Sequence, residues 1–197
     1  MDKFNLLAAP IWVNFLILIP ILLFFYWRKS KLSISRKTLL YTLIFGIAFG
    51  AIEASCVIYL RAANGFLPGY QGTIQDVWKQ SELIYYDQEL LRRSLPMSLL
   101  LLEVIREAGT LVMLSMIAFI SAPKIKERFA IFVWTFAVWD IFYYVYLWIS
   151  VHWPQSFMTK DVLFLIPQPW LSQVWFTLVV SSISLLAVFI NIKSKQE

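Results

Sequence analysis

The sequence predicts an all-α integral membrane protein, a bundle of five transmembrane helices, and three observations carry that reading. Apolar residues make up 60% of the 197-residue chain. Mean hydropathy is +0.70 and charged residues are 15%, against about 25% in soluble domains. Five apolar runs each approach or exceed the ~20 residues that cross ~30 Å of hydrocarbon. The length fits one membrane domain, residues 1–197, without a separate soluble module.

The predicted spans are 8–27, 38–60, 96–121, 129–151 and 170–192. They are read as helices because backbone groups facing lipid must be satisfied within the segment. The first span is expected to be retained rather than cleaved as a signal peptide. Asp2 and Lys3 leave its start without net charge, and Arg28-Lys29-Ser30-Lys31 follows where a small-residue cleavage site would stand. The third span carries three charges, but orientation supports it. With five spans, the basic residues at 28, 29, 31, 36, 37, 124, 126, 128, 193 and 195 share one side. Lys3, Arg61, Lys79, Arg92, Arg93 and Lys160 take the other. The positive-inside rule then places the N-terminus outside and the C-terminus in the cytoplasm.

Between the second and third spans lies an outer loop, 61–95. It opens with the turn residues Asn64, Gly65, Pro68 and Gly69. Ile74, Val77, Trp78, Ser81, Ile84, Tyr85 and Leu91 then recur at helical spacing, which predicts an extracytoplasmic amphipathic helix. The stretch Asp161 to Trp170 is too short to span and contains Pro167 and Pro169. It is expected to form a re-entrant loop or an interfacial stop.

Charged residues inside apolar runs mark the candidate site. An ionisable group in hydrocarbon costs a few kcal/mol by insertion scales, so it faces a partner or a water-filled cavity. Glu103, Arg106 and Glu107 interrupt the third span, Glu53 the second and Asp140 the fourth. Glu53 is eight residues before Arg61, about 12 Å below the outer end, and Glu103 and Glu107 lie roughly 10–16 Å down. Residues at such similar depth can meet. Gly46, Gly50 and Ala54 form a small-xxx-small series that lets a helix approach on the side of Glu53. Tyr143 and Tyr144 follow Asp140 by three and four residues, Trp139 lies deep enough to line a pocket, and Gln173, Thr177, Ser181 and Ser184 make a polar face on the fifth span.

These residues set the chemistry expected. Glu53, Glu103, Glu107 and Asp140 are candidate catalytic carboxylates, with Arg106, Tyr143, Tyr144, Trp139 and Gln173 as candidate substrate-binding groups. A carboxylic acid in an apolar cavity can keep its proton at neutral pH and act as a general acid, while an ionised neighbour acts as base. Arg106 would hold an anionic group or neutralise its nearest acid, Glu103. Glu107 and Asp140, nearest the midplane, are expected to matter most. Glu107→Gln and Asp140→Asn should therefore remove function at little cost in stability.

Three function classes fit: acid–base chemistry on a lipid-soluble substrate, a non-catalytic subunit of a larger membrane complex, and cation or proton transport. The partners expected are the lipid bilayer and a membrane-protein partner or a second copy of the chain. Nucleic acid is not expected, because the basic residues sit in short blocks beside apolar runs. The location expected is a cell membrane, spanned several times.

His152 is the only histidine, which excludes a haem with two axial histidines from this chain. Carboxylates still admit a divalent metal. The single Cys56 rules out an intrachain disulfide. There is no Walker loop, no dinucleotide glycine fingerprint, no His-Glu-x-x-His and no Glu-x-x-His pair.

Overall fold

The computed structural model describes residues 7–63 and 97–193. It is mostly helical. A 3₁₀ segment, Ile11–Ile17, runs into α1 (Leu18–Ser30); α2 (Arg36–Ala63), α3 (Met97–Ser121) and α4 (Ile125–Val151) follow. Strands β1 (Lys160–Phe164) and β2 (Trp170–Gln173) precede α5 (Val174–Ile190). The amphipathic helix expected in the outer loop lies outside the described residues.

Among the described residues, four helical stretches are long and apolar enough to cross a membrane: Ile11–Ser30, Arg36–Tyr59, Leu101–Ser121 and Ile125–Val151. The fifth apolar helix, α5, has 17 residues, about 25 Å at 1.5 Å per residue. The described residues are thus mostly helical, with four helices of spanning length and composition.

Two expectations are corrected here. The fold is not all-α, and residues 170–173 are extended rather than helical. Phe164 pairs with Trp170, Val162 with Leu171, Asp161 with Ser172 and Lys160 with Gln173, all antiparallel, with an irregularity between Val162 and Phe164. The physical reason is Pro167-Gln168-Pro169, which cannot continue a helix and closes a tight return of the chain. Ala9 extends the sheet, with Ala9 N–H donating to Leu171 O (2.8 Å) and Leu171 N–H to Ala9 O (2.7 Å).

Helix α4 is the central element and packs against α2, α3 and α5, while α1 lies on α5. The close approach of α2 depends on two glycines. A Cβ at Gly46 would lie 2.8 Å from Val138 Cγ1, and one at Gly50 would lie 3.0 Å from Trp139 O and from Tyr143 N. At one end of the bundle, Trp27, Leu32, Ile131, Trp134, Val138 and Val188 share an apolar core. The same end gathers three basic segments. Lys126 Nζ donates to Ser30 O (3.0 Å) and Lys31 O (2.6 Å), Glu127 Oε1 accepts from Ser33 N–H (3.3 Å), and Lys193 N–H donates to Leu32 O (2.9 Å). Large apolar side chains such as Leu22, Phe25, Ile105, Ile120 and Phe189 face outward.

Candidate functional site

At the other end of the bundle the helices part around a cavity of about 140 Å³. Helix α2 contributes Glu53 to its wall, α3 contributes Glu103, Arg106, Glu107 and Thr110, and α4 contributes Phe136, Trp139, Asp140, Tyr143 and Tyr144. Asp161, Phe164 and Trp170 come from the β-hairpin, and Thr177 and Ser181 from α5. All four expected catalytic carboxylates, and four of the five expected binding residues, thus line one space. The exception is Gln173, which is buried at the junction of β2 and α5 and is not on the cavity wall.

The polar groups divide into three sets. In the first, Arg106 bridges α3 and α2. Its guanidinium pairs with Glu53 and with Glu103, the latter through Nη2 (2.7 Å) and Nε (3.2 Å) to Oε2. Thr110 Oγ1 donates to Glu53 Oε2 at 3.0 Å, closing the network on α2. Glu53 and Glu103 are 5% and 4% exposed, a burial a carboxylate tolerates only with partners of this kind.

Glu107 forms the second set alone. Its carboxylate accepts the backbone N–H of Leu165 at 2.8 Å (Oε2) and 3.1 Å (Oε1), and that of Ile166 at 3.0 Å (Oε1). The tip of the hairpin therefore reaches the middle of α3. Backbone outside a helix needs its donors satisfied elsewhere, and Glu107 satisfies two of them.

The third set faces α5 and the hairpin. Ser181 Oγ donates to Asp140 Oδ2 at 2.7 Å, and Tyr144 OH donates to Asp161 Oδ2 at 2.7 Å. Aromatic rings surround these groups in a connected wall. Phe136 stacks on Phe164 (centroids 6.0 Å apart), Trp139 on Tyr143 (6.2 Å), and Phe164 touches Trp170 (5.2 Å).

Asp161 is a wall residue that the sequence reading passed over. It opens the apolar stretch expected to form a re-entrant loop or an interfacial stop, and no role was expected for its carboxylate. The signal present was two apolar runs split by Pro-Gln-Pro, a hairpin pattern that would have turned Asp161 back toward the bundle. Among the described residues, no three His, Cys, Asp or Glu side chains stand close enough together to hold a metal ion. No family model matches the chain, and neither the curated proteins nor the solved structures compared with it show significant similarity.

Proposed function

We propose that the cavity is a substrate site at which Asp140 gives or takes a proton on a lipid-soluble molecule. The observation that carries this reading is the setting of Asp140. Its carboxylate stands on the cavity wall with Ser181 as hydrogen-bond donor and with aromatic rings on either side. A carboxyl group in such a place can transfer a proton within contact distance of a bound molecule. Tyr144 and Asp161 supply a second proton-carrying pair on the same wall.

Size limits what enters. The volume is close to that of the ~150 Å³ cavity that holds benzene in an apolar core. One ring-sized portion of the substrate is therefore bound, and any longer chain extends beyond the cavity. Glu53, Glu103 and Arg106 join α2 to α3, and Glu107 holds the hairpin. They position the wall rather than react.

The membrane arrangement proposed with it has five spans, α5 being the fifth, in a cell membrane. The N-terminus is outside and the C-terminus cytoplasmic. The convergence of the segments around Lys31, Lys126 and Lys193 at one end supports it, because the positive-inside rule places such an end in the cytoplasm. The cavity then lies in the outer half of the bilayer.

A second reading rests on the Arg106 network. Its three charges are spent on one another across two helices, as expected where buried ions set helix pairing in a non-catalytic subunit. Deuterium exchange separates the two. The purified chain is incubated in D₂O with a membrane lipid extract, and the lipids are analysed by mass spectrometry. One extract component should gain carbon-bound deuterium with the wild type and none with Asp140→Asn, whose melting temperature should stay close to wild type. No labelling by either protein would leave the subunit reading in place, and equal labelling by both would remove Asp140 from the chemistry.

A further inference from the structure

Resting on the reading of the cavity as a substrate site, we propose that the group it takes is an organic ammonium. The ligand is an amphiphilic amine whose cationic head sits between the aromatic wall and Asp140. Two independent features support this. The first is Asp140 itself. It is 9% exposed and on the cavity wall, and among the described residues no Lys, Arg or His pairs with it; Ser181 alone donates to it. A carboxylate so placed is complemented by a positive charge delivered from the cavity.

The second is the ring content of the wall. Phe136, Trp139, Tyr143 and Tyr144 on α4 and Phe164 and Trp170 on the hairpin line the same space. Their centroids stand 5.2–6.4 Å from those of their neighbours. Ring faces present negative electrostatic potential, and a cation within about 6 Å of a centroid is attracted, more strongly when desolvated. Aromatic cages are a recurring means by which proteins recognise ammonium groups.

Anions are disfavoured by the same geometry. The guanidinium of Arg106 is engaged by Glu53 and Glu103, so a carboxylate or phosphate entering the cavity would meet Asp140 without a cation disposed to receive it. Of the two roles expected for Arg106 from sequence, this geometry favours neutralising Glu103 over holding an anionic group.

The test uses the full chain in dodecyl maltoside micelles, which contain no ammonium group, and three probes of one shape: phenethylammonium, 2-phenylethanol and phenylacetate. Dissociation constants are measured by calorimetry. Phenethylammonium should bind about tenfold tighter than the alcohol, and phenylacetate more weakly than either. Asp140→Asn should remove most of the preference for the ammonium. Trp139→Leu should weaken the ammonium more than the alcohol, so the proposal stays open to refutation if Asp140→Asn fails to fold. Equal affinity for ammonium and alcohol, or tighter binding of phenylacetate, would overturn it.

Competition then separates two sources of the same group. Displacement of phenethylammonium by dodecylammonium alone assigns a free amphiphilic amine, and displacement by a short-chain phosphatidylethanolamine as well assigns a lipid headgroup. Displacement by neither overturns the proposal. Because the readout is affinity, its failure is distinct from a failure to exchange deuterium, which bears on the chemistry.

Discussion

Glu107 and Arg106 both stand in the cavity wall with their polar atoms engaged by other groups of the chain. The two oxygens of Glu107 accept from two successive backbone N–H groups of the hairpin tip. A glutamine there would keep one acceptor and aim an amide N–H₂ at a backbone donor. Glu107→Gln should therefore lower stability by about 1–3 kcal/mol, seen as a fall in melting temperature in detergent. The expectation from sequence is a small cost in stability; the two backbone contacts predict a larger one. An unchanged melting temperature would show that the hairpin does not need this anchor. Arg106→Gln leaves Glu53 and Glu103 buried without their shared cation and should cost about 3–5 kcal/mol. Arg106→Lys should recover only part of it, since an ammonium lacks the planar fork that serves two carboxylates at once.

Among the elements, the contact of α2 with α4 controls the site from a distance. A methyl at Gly50 would press on the backbone of α4 at Trp139 and Tyr143, and backbone cannot rotate out of the way. Gly50→Ala should therefore destabilise by about 1–3 kcal/mol and shift Trp139, Asp140 and Tyr143 together, weakening ligand binding. Gly109 on α3 is the control, because an added Cβ meets nothing within 4 Å. Gly109→Ala should hold or raise the melting temperature, as alanine is the better helix former by up to about 1 kcal/mol. If both substitutions behave alike, close packing of α2 on α4 is not what positions the wall. The hairpin is the other decisive element. It closes the space between α3 and α5 with backbone whose polar groups are met by β1, β2, Ala9 and Glu107.

For the whole molecule, the arrangement across the membrane is open to direct labelling. Single cysteines at Gln71 and Lys126, in a chain with Cys56 replaced by alanine, are exposed in intact cells to a membrane-impermeant thiol reagent. Labelling is expected at 71 and not at 126, because the proposed arrangement puts the basic segments that meet around Lys126 in the cytoplasm. The reverse pattern would invert the protein and move the cavity to the inner half of the bilayer.

What the sequence by itself determined is the apolar helical class of the chain, the approximate extent of α1 to α4, and the charged members of the cavity wall other than Asp161. Each follows from one-dimensional physics. Hydrocarbon requires long apolar helices, and a charge inside one is so costly that Glu53, Glu103, Arg106, Glu107 and Asp140 point to a shared polar space wherever their helices go. Only the tertiary structure decided what each of these side chains does there. Arg106 meets Glu53 across 53 positions of sequence, Glu107 meets the backbone of Leu165 and Ile166, and Asp140 meets Ser181 on a different helix. Helical periodicity shows which way a side chain faces along its own axis, not which neighbour stands opposite. The hairpin and Asp161 escaped for a related reason: a strand this short is stabilised by its partners rather than by its own pattern. Those partners, Ala9, Glu107 and Tyr144, are far away in the chain and adjacent only in the fold.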